Sequence, residues 1–394
     1  MLLLDEALDA IYDTHMGALI DGERASAHVL ESPPGVGKSE GVFQVCARMA
    51  AALDEPVGLV QFMLTTVMSA DVRGFMLPLP PKDGKPMRTV FSTPPWYPAA
   101  GERGNMWVVE PDGTWWTPGT WNGEVPRVGV VFLDEWGQAE DDVKKPAAEL
   151  LLNGNVGSTF LPLGWRVLAA QNRTSDRSGV MREMMFTVNR RCLIPIAPDV
   201  RPWLRWVDNV DEKKRPHFMT VSFARQNPSI VFASSVPEGT APFCTARSLC
   251  RMDRDLRALA SDEDRAHNRL PTTNIARMIC GGWIGEGVAG QFFTHLKYFD
   301  VLPDMDDVID DPRSAKLPPT KDAQMVVAYM LAHHVDEDSA QPIMRYIARM
   351  NEEMQMMAMG IVNGDERRLK HLVVVPEYTT WMMKNKDRLR AAQM

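Results

Sequence analysis

Residues 30–41 combine small residues, one lysine and one hydroxyl at a spacing that suits phosphate binding. In Leu-Glu-Ser-Pro-Pro-Gly-Val-Gly-Lys-Ser-Glu-Gly, Gly35 and Gly37 lack the Cβ atoms that would keep backbone amides from surrounding an anion. Lys38 can reach terminal phosphate oxygens, and the hydroxyl of Ser39 suits Mg²⁺. We therefore expect a nucleotide phosphate loop made of Ser32, Pro33, Pro34, Gly35, Val36, Gly37, Lys38, Ser39 and Glu40.

This loop has one departure from its consensus and one competing explanation. The consensus begins with glycine, where this chain has Ser32, but the lysine, the hydroxyl and the second glycine are present. A chance Gly-x-Gly-Lys-Ser in a surface turn is the alternative. Residues 27–30 are strand-like and residues 41–53 have helical spacing, and a phosphate loop requires this order of strand, loop and helix.

A second stretch, residues 128–135, is an apolar run that ends in two carboxylates. A parallel strand covered on both faces must be apolar throughout, so acids emerge only at its carboxyl end, where ligands of open α/β sheets bind. We expect Asp134 to hold Mg²⁺ through its water shell and Glu135 to polarise the attacking water. The alternative is an acidic pair on the surface.

Two further residues are candidates for contact with the same ligand. Residues 164–172 predict a buried strand whose polar tip includes Asn172, an amide that could orient the water or simply end the strand. Arg247 lies in the first turn of a helix for which Thr245 is the expected N-cap. A cation there opposes the helix dipole and needs an anion, either the nucleotide or an ordinary salt-bridge partner.

Composition is that of an ordinary globular protein with room for two or more domains: 394 residues, 45% apolar and 24% charged. The net charge of −8 disfavours binding to nucleic acid or membrane through the overall field, although a local basic channel would escape this test. The apolar segment at residues 1–4 is too short for a signal sequence and lacks basic residues. No apolar run is long enough to span a membrane, so we expect a cytoplasmic protein. Five scattered cysteines are expected to be buried thiols.

The remaining stretches predict an α/β domain followed by helices. Residues 4–20 have helical spacing, and residues 56–63 predict a buried strand. Residues 78–126 are rich in proline, glycine and turn signals and predict an inserted pair of hairpins. The pair Trp115–Trp116 in this insert is either part of a small local core or a surface that grips nucleic acid or peptide. Strand signals fade beyond residue 198.

Four segments together resemble the AAA+ ATPases, and specifically their MoxR branch. They are the phosphate loop at 32–39, the acidic strand at 130–135, Val-Leu-Ala-Ala-Gln-Asn at 167–172 and Thr-Ala-Arg-Ser-Leu at 245–249. Residues 61–74 are similar to the segment that leads into the inserted hairpin of that family. The resemblance covers residues 27–260.

This resemblance implies an α/β fold, namely a P-loop NTPase domain with a parallel sheet in residues 1–198 and hairpins inserted around 78–126. An α-helical lid would follow in residues 199–312, and a helical C-terminal extension in residues 313–394. It also implies ATP and Mg²⁺ as cofactors, ring oligomers that are usually hexameric, and ATP-driven remodelling of protein partners. Proteins of the MoxR branch often work with a von Willebrand factor A domain protein.

The roles of the family carry over by position. They fall on Lys38 and Ser39 for phosphate and Mg²⁺, Asp134 and Glu135 for Mg²⁺ and hydrolysis, Asn172 as first sensor and Arg247 as second sensor. Arg190, just before the last strand, falls where the family has an arginine finger that acts between subunits. The family has Asp-Arg-Phe at this point and this chain has Asn-Arg-Arg, so Arg191 is the alternative finger.

Three functions are compatible with these residues. The expected one is an ATP-driven remodeller of proteins. A DNA-directed motor, such as a helicase loader or a phage-type replication or packaging helper, is the main alternative, and the acidic balance and the lack of a dense basic stripe weigh against it. A scaffold that binds nucleotide with little turnover is another, against which the intact pair Asp134–Glu135 argues.

Overall fold

The computed structural model describes residues 1–81, 86–98, 105–156, 159–176 and 188–393, with side chains described as far as residue 386. The chain divides into two compact units. The first unit comprises residues 1–198 together with 234–236, and the second comprises residues 199–233 together with 237–394.

A twisted sheet forms the centre of the first unit. The strands of this unit are β1 (His28–Glu31), β2 (Val57–Met63), β3 (Met76–Leu79), β4 (Arg88–Phe91), β5 (Trp107–Val109), β6 (Trp115–Trp116), β7 (Val128–Asp134), β8 (Asn155–Val156), β9 (Thr159–Phe160), β10 (Trp165–Gln171) and β11 (Cys192–Pro195). Seven of them form one sheet in the order β11-β1-β10-β7-β2-β5-β6. The strands from β11 to β2 in this order are mutually parallel, whereas β5 and β6 are antiparallel to their neighbours.

Helices cover both faces of this sheet. They are α1 (Leu4–Asp21), α2 (Lys38–Leu53), α3 (Ser69–Arg73) and α4 (Asp141–Asn153). Along β7, Val130 and Phe132 belong to the core shared with α1 and α2, and Val131 and Leu133 belong to the core shared with α4. Burial on both faces explains why this strand is apolar throughout. The α/β fold with a mainly parallel sheet, expected from the sequence, is confirmed.

The segment between β2 and β7 contains two hairpins, of which residues 82–85 and 99–104 lie outside the described residues. Strands β3 and β4 form a separate two-stranded sheet. Strand β5 pairs with β2, so the second hairpin extends the main sheet, which the sequence did not indicate. Trp115 packs on Phe43 of α2 with ring centroids 5.0 Å apart, and Trp107 lies 5.5 Å from the same ring. Trp115 is therefore packed against the core shared with α1 and α2, not in a small core confined to the insert.

The described residues of the second unit form helices and the segments that connect them, without a strand. Its helices are α5 (Val200–Asn209), α6 (Phe218–Gln226), α7 (Pro228–Val231), α8 (Ala246–Leu259), α9 (Asp262–Ala266), α10 (Asn274–Ile284), α11 (Glu286–Leu296), α12 (Met305–Asp310), α13 (Lys321–His333), α14 (Ala340–Ile347), α15 (Glu352–Asn363), α16 (Glu366–Leu372) and α17 (Pro376–Gln393). One hydrophobic core extends from Trp203 to Trp381, so helices on both sides of residue 312 share it. None of the helices in the described ranges has the length and apolar character needed to cross a membrane.

The cysteines differ in exposure. Cys46, Cys244 and Cys280 are buried, as expected, but Cys192 is exposed and Cys250 is half-buried. Cys192 opens β11, a strand at the edge of the sheet, and this position leaves its thiol in contact with solvent.

A buried arginine in β10 ties α1 to the sheet. Arg166 is fully buried, and its Nη1 donates hydrogen bonds to the carbonyl of Ile11 (2.6 Å) and the hydroxyl of Thr14 (3.0 Å). Its Nη2 donates to the carbonyl of Ser26 (3.2 Å) and contacts the ring of His28. Burying a guanidinium is costly unless it is hydrogen-bonded, and the bonds from Nη1 and Nη2 join the helix to the sheet, while Nε has no partner among the described residues.

His15 of α1 lies beside this arginine. The side chain is 1% exposed, and its Nε2 lies 3.1 Å from the carbonyl oxygen of Gly164. Burial, and secondarily the charge of Arg166, lower the pKa of His15 from 6.5 to about 4. The imidazole is therefore neutral in the folded protein at neutral pH, with Nε2 as the donor.

We expect the first unit to lose stability as the pH falls from 6.5 towards 4. The unfolded chain takes up a proton on His15 before the folded chain does, so the contribution is complete above pH 6.5 and is lost progressively down to the folded pKa of about 4. At about 1.4 kcal/mol per pKa unit, this loss is on the order of 3 kcal/mol. Denaturant unfolding at pH 7 and pH 4.5 measures it.

His15→Gln keeps a donor for Gly164 but does not titrate, so its free energy of unfolding should change less between the two pH values than that of the wild type. His267→Gln, at an exposed position, is the matched control and should behave as the wild type. Equal losses in wild type and His15→Gln would contradict this account of the cluster.

Candidate functional site

The parallel pairing of the central strands brings three strand ends together at the carboxyl edge of the sheet, the side on which the parallel strands end. Glu31 at the end of β1 lies opposite Gln171 at the end of β10, and Leu133 of β7 lies opposite Ala169 of β10. The connection after β1 leads to β2 on one side, while β11 lies on the other side of β1. The strand order thus changes direction next to β1, and ligands of open α/β sheets bind at such a point, outside the carboxyl ends of the strands.

The phosphate loop joins β1 to α2 at this edge. Gly35 has φ +78° and Gly37 has φ +107°, conformations that side chains with a Cβ rarely adopt. Gly37 directly precedes α2, and no side chain in the described part of the chain caps this helix. The amides of its first turn have no intrahelical partner, so they are available to an anion seated in the loop.

Lys38 holds its ammonium group inside the loop. The side chain is 8% exposed, and Nζ donates hydrogen bonds to the carbonyl and hydroxyl oxygens of Ser32 at 3.2 and 2.8 Å and to the carbonyl of Pro33 at 3.3 Å. It also donates to Oδ1 of Asn172 at 3.2 Å, which brings the expected sensor to the loop. The hydroxyl of Ser32 thus accepts a hydrogen bond from Lys38 that the consensus glycine, which has no side chain, could not accept.

Ser39 and Asp134 meet across the same edge. The hydroxyl of Ser39, in the first turn of α2, donates to Oδ2 of Asp134 at a distance of 2.7 Å. Both side chains are half-buried and open to solvent. A hydroxyl and a carboxylate placed together are hard oxygen ligands of the kind that Mg²⁺ takes, so the donor set fits that ion.

Glu135 has an unusual backbone conformation. Its φ of +57° lies in the left-handed region, which non-glycine residues enter only where the surroundings impose it. Its amide donates to Oδ1 of Asp134 at 2.9 Å, and its carboxylate accepts a hydrogen bond from the hydroxyl of Thr65. Trp136, fully buried, follows directly and holds the turn in place.

Thr65 was not anticipated from the sequence. Strands β2 and β7 are neighbours, and Met63 at the end of β2 lies opposite Asp134. A polar residue two positions after Met63 therefore falls beside Glu135. The position of Thr65 just after an apolar strand could have marked it as a candidate for the site. Placing it beside Glu135 required knowing that β2 pairs with β7.

The other residues of the expected loop surround this centre. Pro33 is buried, Pro34 and Val36 are half-buried, and Glu40 is exposed in the first turn of α2. Gln171 donates from Nε2 to Oε1 of Glu31 at 2.8 Å and so ties the tips of β10 and β1 together.

The two arginines before β11 lie at the amino edge of the sheet, the side on which the parallel strands begin. Cys192, the residue after them, pairs with His28 at the amino end of β1, whereas the phosphate loop follows its carboxyl end. Four strand residues at about 3.3 Å each separate the two edges by roughly 13 Å. Arg190 is exposed and Arg191 is half-buried. The structure therefore does not bring either arginine to the loop of its own chain.

Arg247 lies in the second unit, in the first turn of α8. Thr245 caps this helix as expected, because its hydroxyl accepts a hydrogen bond from the amide of Ser248 at 3.1 Å. The side chain of Arg247 is exposed.

Comparison with protein-family models and with curated proteins gives no match. Solved structures resemble the chain only distantly. The Orc1 protein of Aeropyrum pernix in complex with DNA is 14% identical over 92% of this chain and 83% of its own, with a TM-score of 0.36. NtrX from Brucella abortus in complex with ADP is 13% identical over 98% of this chain and 67% of its own, with a TM-score of 0.33.

A RuvB mutant from Thermotoga maritima is 9% identical over 95% of this chain and 88% of its own, with a TM-score of 0.30. At TM-scores this low, the likenesses carry no weight beside the geometry of the loop.

Proposed function

We propose that the first unit binds ATP with Mg²⁺ and hydrolyses it. The hydrogen bond of 2.7 Å between Ser39 and Asp134 carries this proposal, because it joins the hydroxyl that follows the loop lysine to the carboxylate at the end of β7. Mg²⁺ held by these two residues would neutralise charge on the phosphate oxygens. The glycines of the loop and the open first turn of α2 supply backbone amides for the same oxygens.

Lys38 and Asn172 would change partners when nucleotide binds. Nζ of Lys38 is held by neutral oxygens, and phosphate oxygens are stronger acceptors for an ammonium group. Release of the amide of Asn172 would let it hydrogen-bond to the attacking water. Glu135 would polarise that water after exchanging its hydrogen bond from Thr65 for one to water.

We further propose a ring-forming AAA+ ATPase of MoxR type that remodels protein partners. The sequence resemblance supports it, as does the hairpin β3–β4, which exposes Phe75 (66%), Met76 (63%), Leu77 (46%) and Met87 (66%). Exposed apolar side chains on one hairpin suit contact with a protein better than contact with a phosphate backbone.

A DNA-directed motor is the alternative function. Glu135→Gln chains loaded with ATP and used as bait separate the two: retention of a protein client supports remodelling, and retention of DNA supports the alternative. Lys38→Ala chains, used as bait in parallel, show which captures depend on nucleotide.

Lys38→Ala should weaken ATP binding by roughly 10- to 100-fold. The substitution removes a donor whose hydrogen bonds to a charged acceptor contribute about 1.5–3 kcal/mol. Calorimetric titration with ATP measures the affinity, and Lys145→Ala, which removes an exposed lysine from α4, is the matched control. Wild-type affinity in a folded Lys38→Ala protein would remove the loop from ATP binding.

Glu135→Gln should retain ATP but hydrolyse it about 100-fold or more slowly. The amide keeps the size of the side chain but does not act as a base, and general-base catalysis contributes roughly 10²–10⁴ in rate. Phosphate release and ATP affinity are measured together. Glu140→Gln changes an exposed carboxylate nearby and should leave both unchanged; turnover at the wild-type rate in Glu135→Gln would exclude Glu135 from the mechanism.

Arg190→Ala should keep ATP binding and lose most turnover. Arg190 lies at the sheet edge opposite its own loop, so we expect it to act on a nucleotide held by another copy, where an arginine finger contributes about 10³–10⁵ in rate. Activity per chain should accordingly rise with protein concentration. Arg191→Ala, with its half-buried side chain, should have the smaller effect.

Mixing two inactive variants tests this contact directly. Lys38→Ala chains carry an intact finger and Arg190→Ala chains carry an intact loop, so mixed assemblies should recover part of the activity. A mixture that stays inactive although both variants co-assemble, or full activity in dilute monomers, would show that Arg190 does not act in trans.

A further inference from the structure

A cavity of about 330 Å³ lies in the first unit, at the amino edge of the central sheet. Residues 24–27 before β1, the end of α4, Val167 of β10 and Arg190 line it. Strand β1 runs from this cavity to the phosphate loop, and five residues at about 3.3 Å each put the two on the order of 16 Å apart. The cavity is thus separate from the loop of the same chain.

Two arginines and no carboxylate belong to the described lining of this cavity. Arg24 donates from Nη2 to the carbonyl of Leu161 at 2.7 Å, while its Nη1 is buried and has no hydrogen-bond partner among the described residues. Burial lowers the pKa of Arg24, so its charge is poorly solvated. Arg190 forms no ion pair within the described part of the chain.

The wall of the cavity leaves room for this guanidinium at one position. Gly154 follows α4 with φ +65°, and a Cβ there would collide with Nη1 of Arg24. Glycine therefore both ends the helix and lets the arginine lie against the backbone. Packing and the carbonyl of Leu161 hold the arginine in place, and its Nη1 has no partner within the described part of the chain.

We propose that this cavity binds a phosphate-type anion, with Arg24 and Arg190 as its cations. A guanidinium presents paired N–H donors that match phosphate oxygens, and a phosphate carries enough negative charge for two of them. Among the residues that the structure describes, Nη1 of Arg24 has no hydrogen-bond partner and no carboxylate lines the cavity, and both observations favour an anion.

The anion has two conceivable sources with the same chemistry. One is free phosphate or pyrophosphate in solution. The other is the terminal phosphate of a nucleotide held by a second copy of this chain, and only this source rests on the proposed function of Arg190. Arg24 would then be a second cation that acts on the nucleotide of a neighbour.

The first arm of the experiment measures binding of free anion. Lys38→Ala chains, whose own loop is disabled, are titrated with inorganic pyrophosphate with and without Arg24→Gln. Arg24→Gln should weaken binding roughly tenfold or more, as expected when a charge-assisted donor is lost, and Arg24→Lys should restore part of it. Arg127→Gln removes an arginine at the same sheet edge that is paired with Glu55, and it should change nothing.

The second arm measures turnover of ATP in otherwise wild-type chains. Arg24→Gln should lower turnover at least tenfold with unchanged ATP affinity, and addition of Lys38→Ala chains should restore part of it, because those chains bring an intact cavity to an intact loop. Loss in the first arm assigns the cavity to free anions, and rescued loss in the second arm assigns it to the nucleotide of a neighbour.

If folded Arg24→Gln matches its parent in both pyrophosphate affinity and turnover, the inference is overturned. If the wild-type chain proves unable to hydrolyse ATP, the proposed function fails, and the pyrophosphate arm still decides whether the cavity is an anion site.

Discussion

The parallel pairing of β1 with β10 and of β10 with β7 is the constraint on which the candidate site depends. It sets the ends of the three strands side by side, and only then do Ser39, Asp134 and Asn172 come within reach of one another. A slip of one residue would turn every side chain of a strand to the opposite face. Since β7 has one core on each face, such a slip would disturb both cores together with the site. The strand register that forms the two cores is therefore also the register that brings the site residues together.

Helix α1 supports the phosphate loop in addition to the sheet. Helix α1 lies against the first turns of α2, where a Cβ at Gly41 would be 2.7 Å from Leu8. Arg166 fixes α1 through its hydrogen bonds to Ile11 and Thr14. A chain of contacts thus runs from a buried arginine through one helix to the start of another. It lets a polar group distant from the loop determine how firmly the loop is held.

The sequence was most informative where local chemistry allowed few alternatives. Residues 128–133 had to form a strand covered on both faces, because no half-exposed strand is apolar at every position, and the glycines before Lys38 had to form a tight loop. Contacts between residues that are distant in the sequence could not be predicted from local chemistry. Strand β5 has three residues and no readable periodicity, and the use of Thr65 and Arg24 depends on strand order and on Gly154. The role of Arg166 as an anchor of α1 likewise depends on residues far away in the sequence.

The two outer strands of the sheet bear on how copies of this chain can approach one another. At one border β6 has two residues, too few to template a further strand. At the other border Leu2 lies along the end of β11: its amide donates to Pro195 and its carbonyl accepts from Ala197, so backbone groups there are already satisfied. Proline in β11 removes one more donor. Edge-to-edge addition of strands from other copies, which can lead to fibres, is therefore disfavoured at both borders of the described sheet.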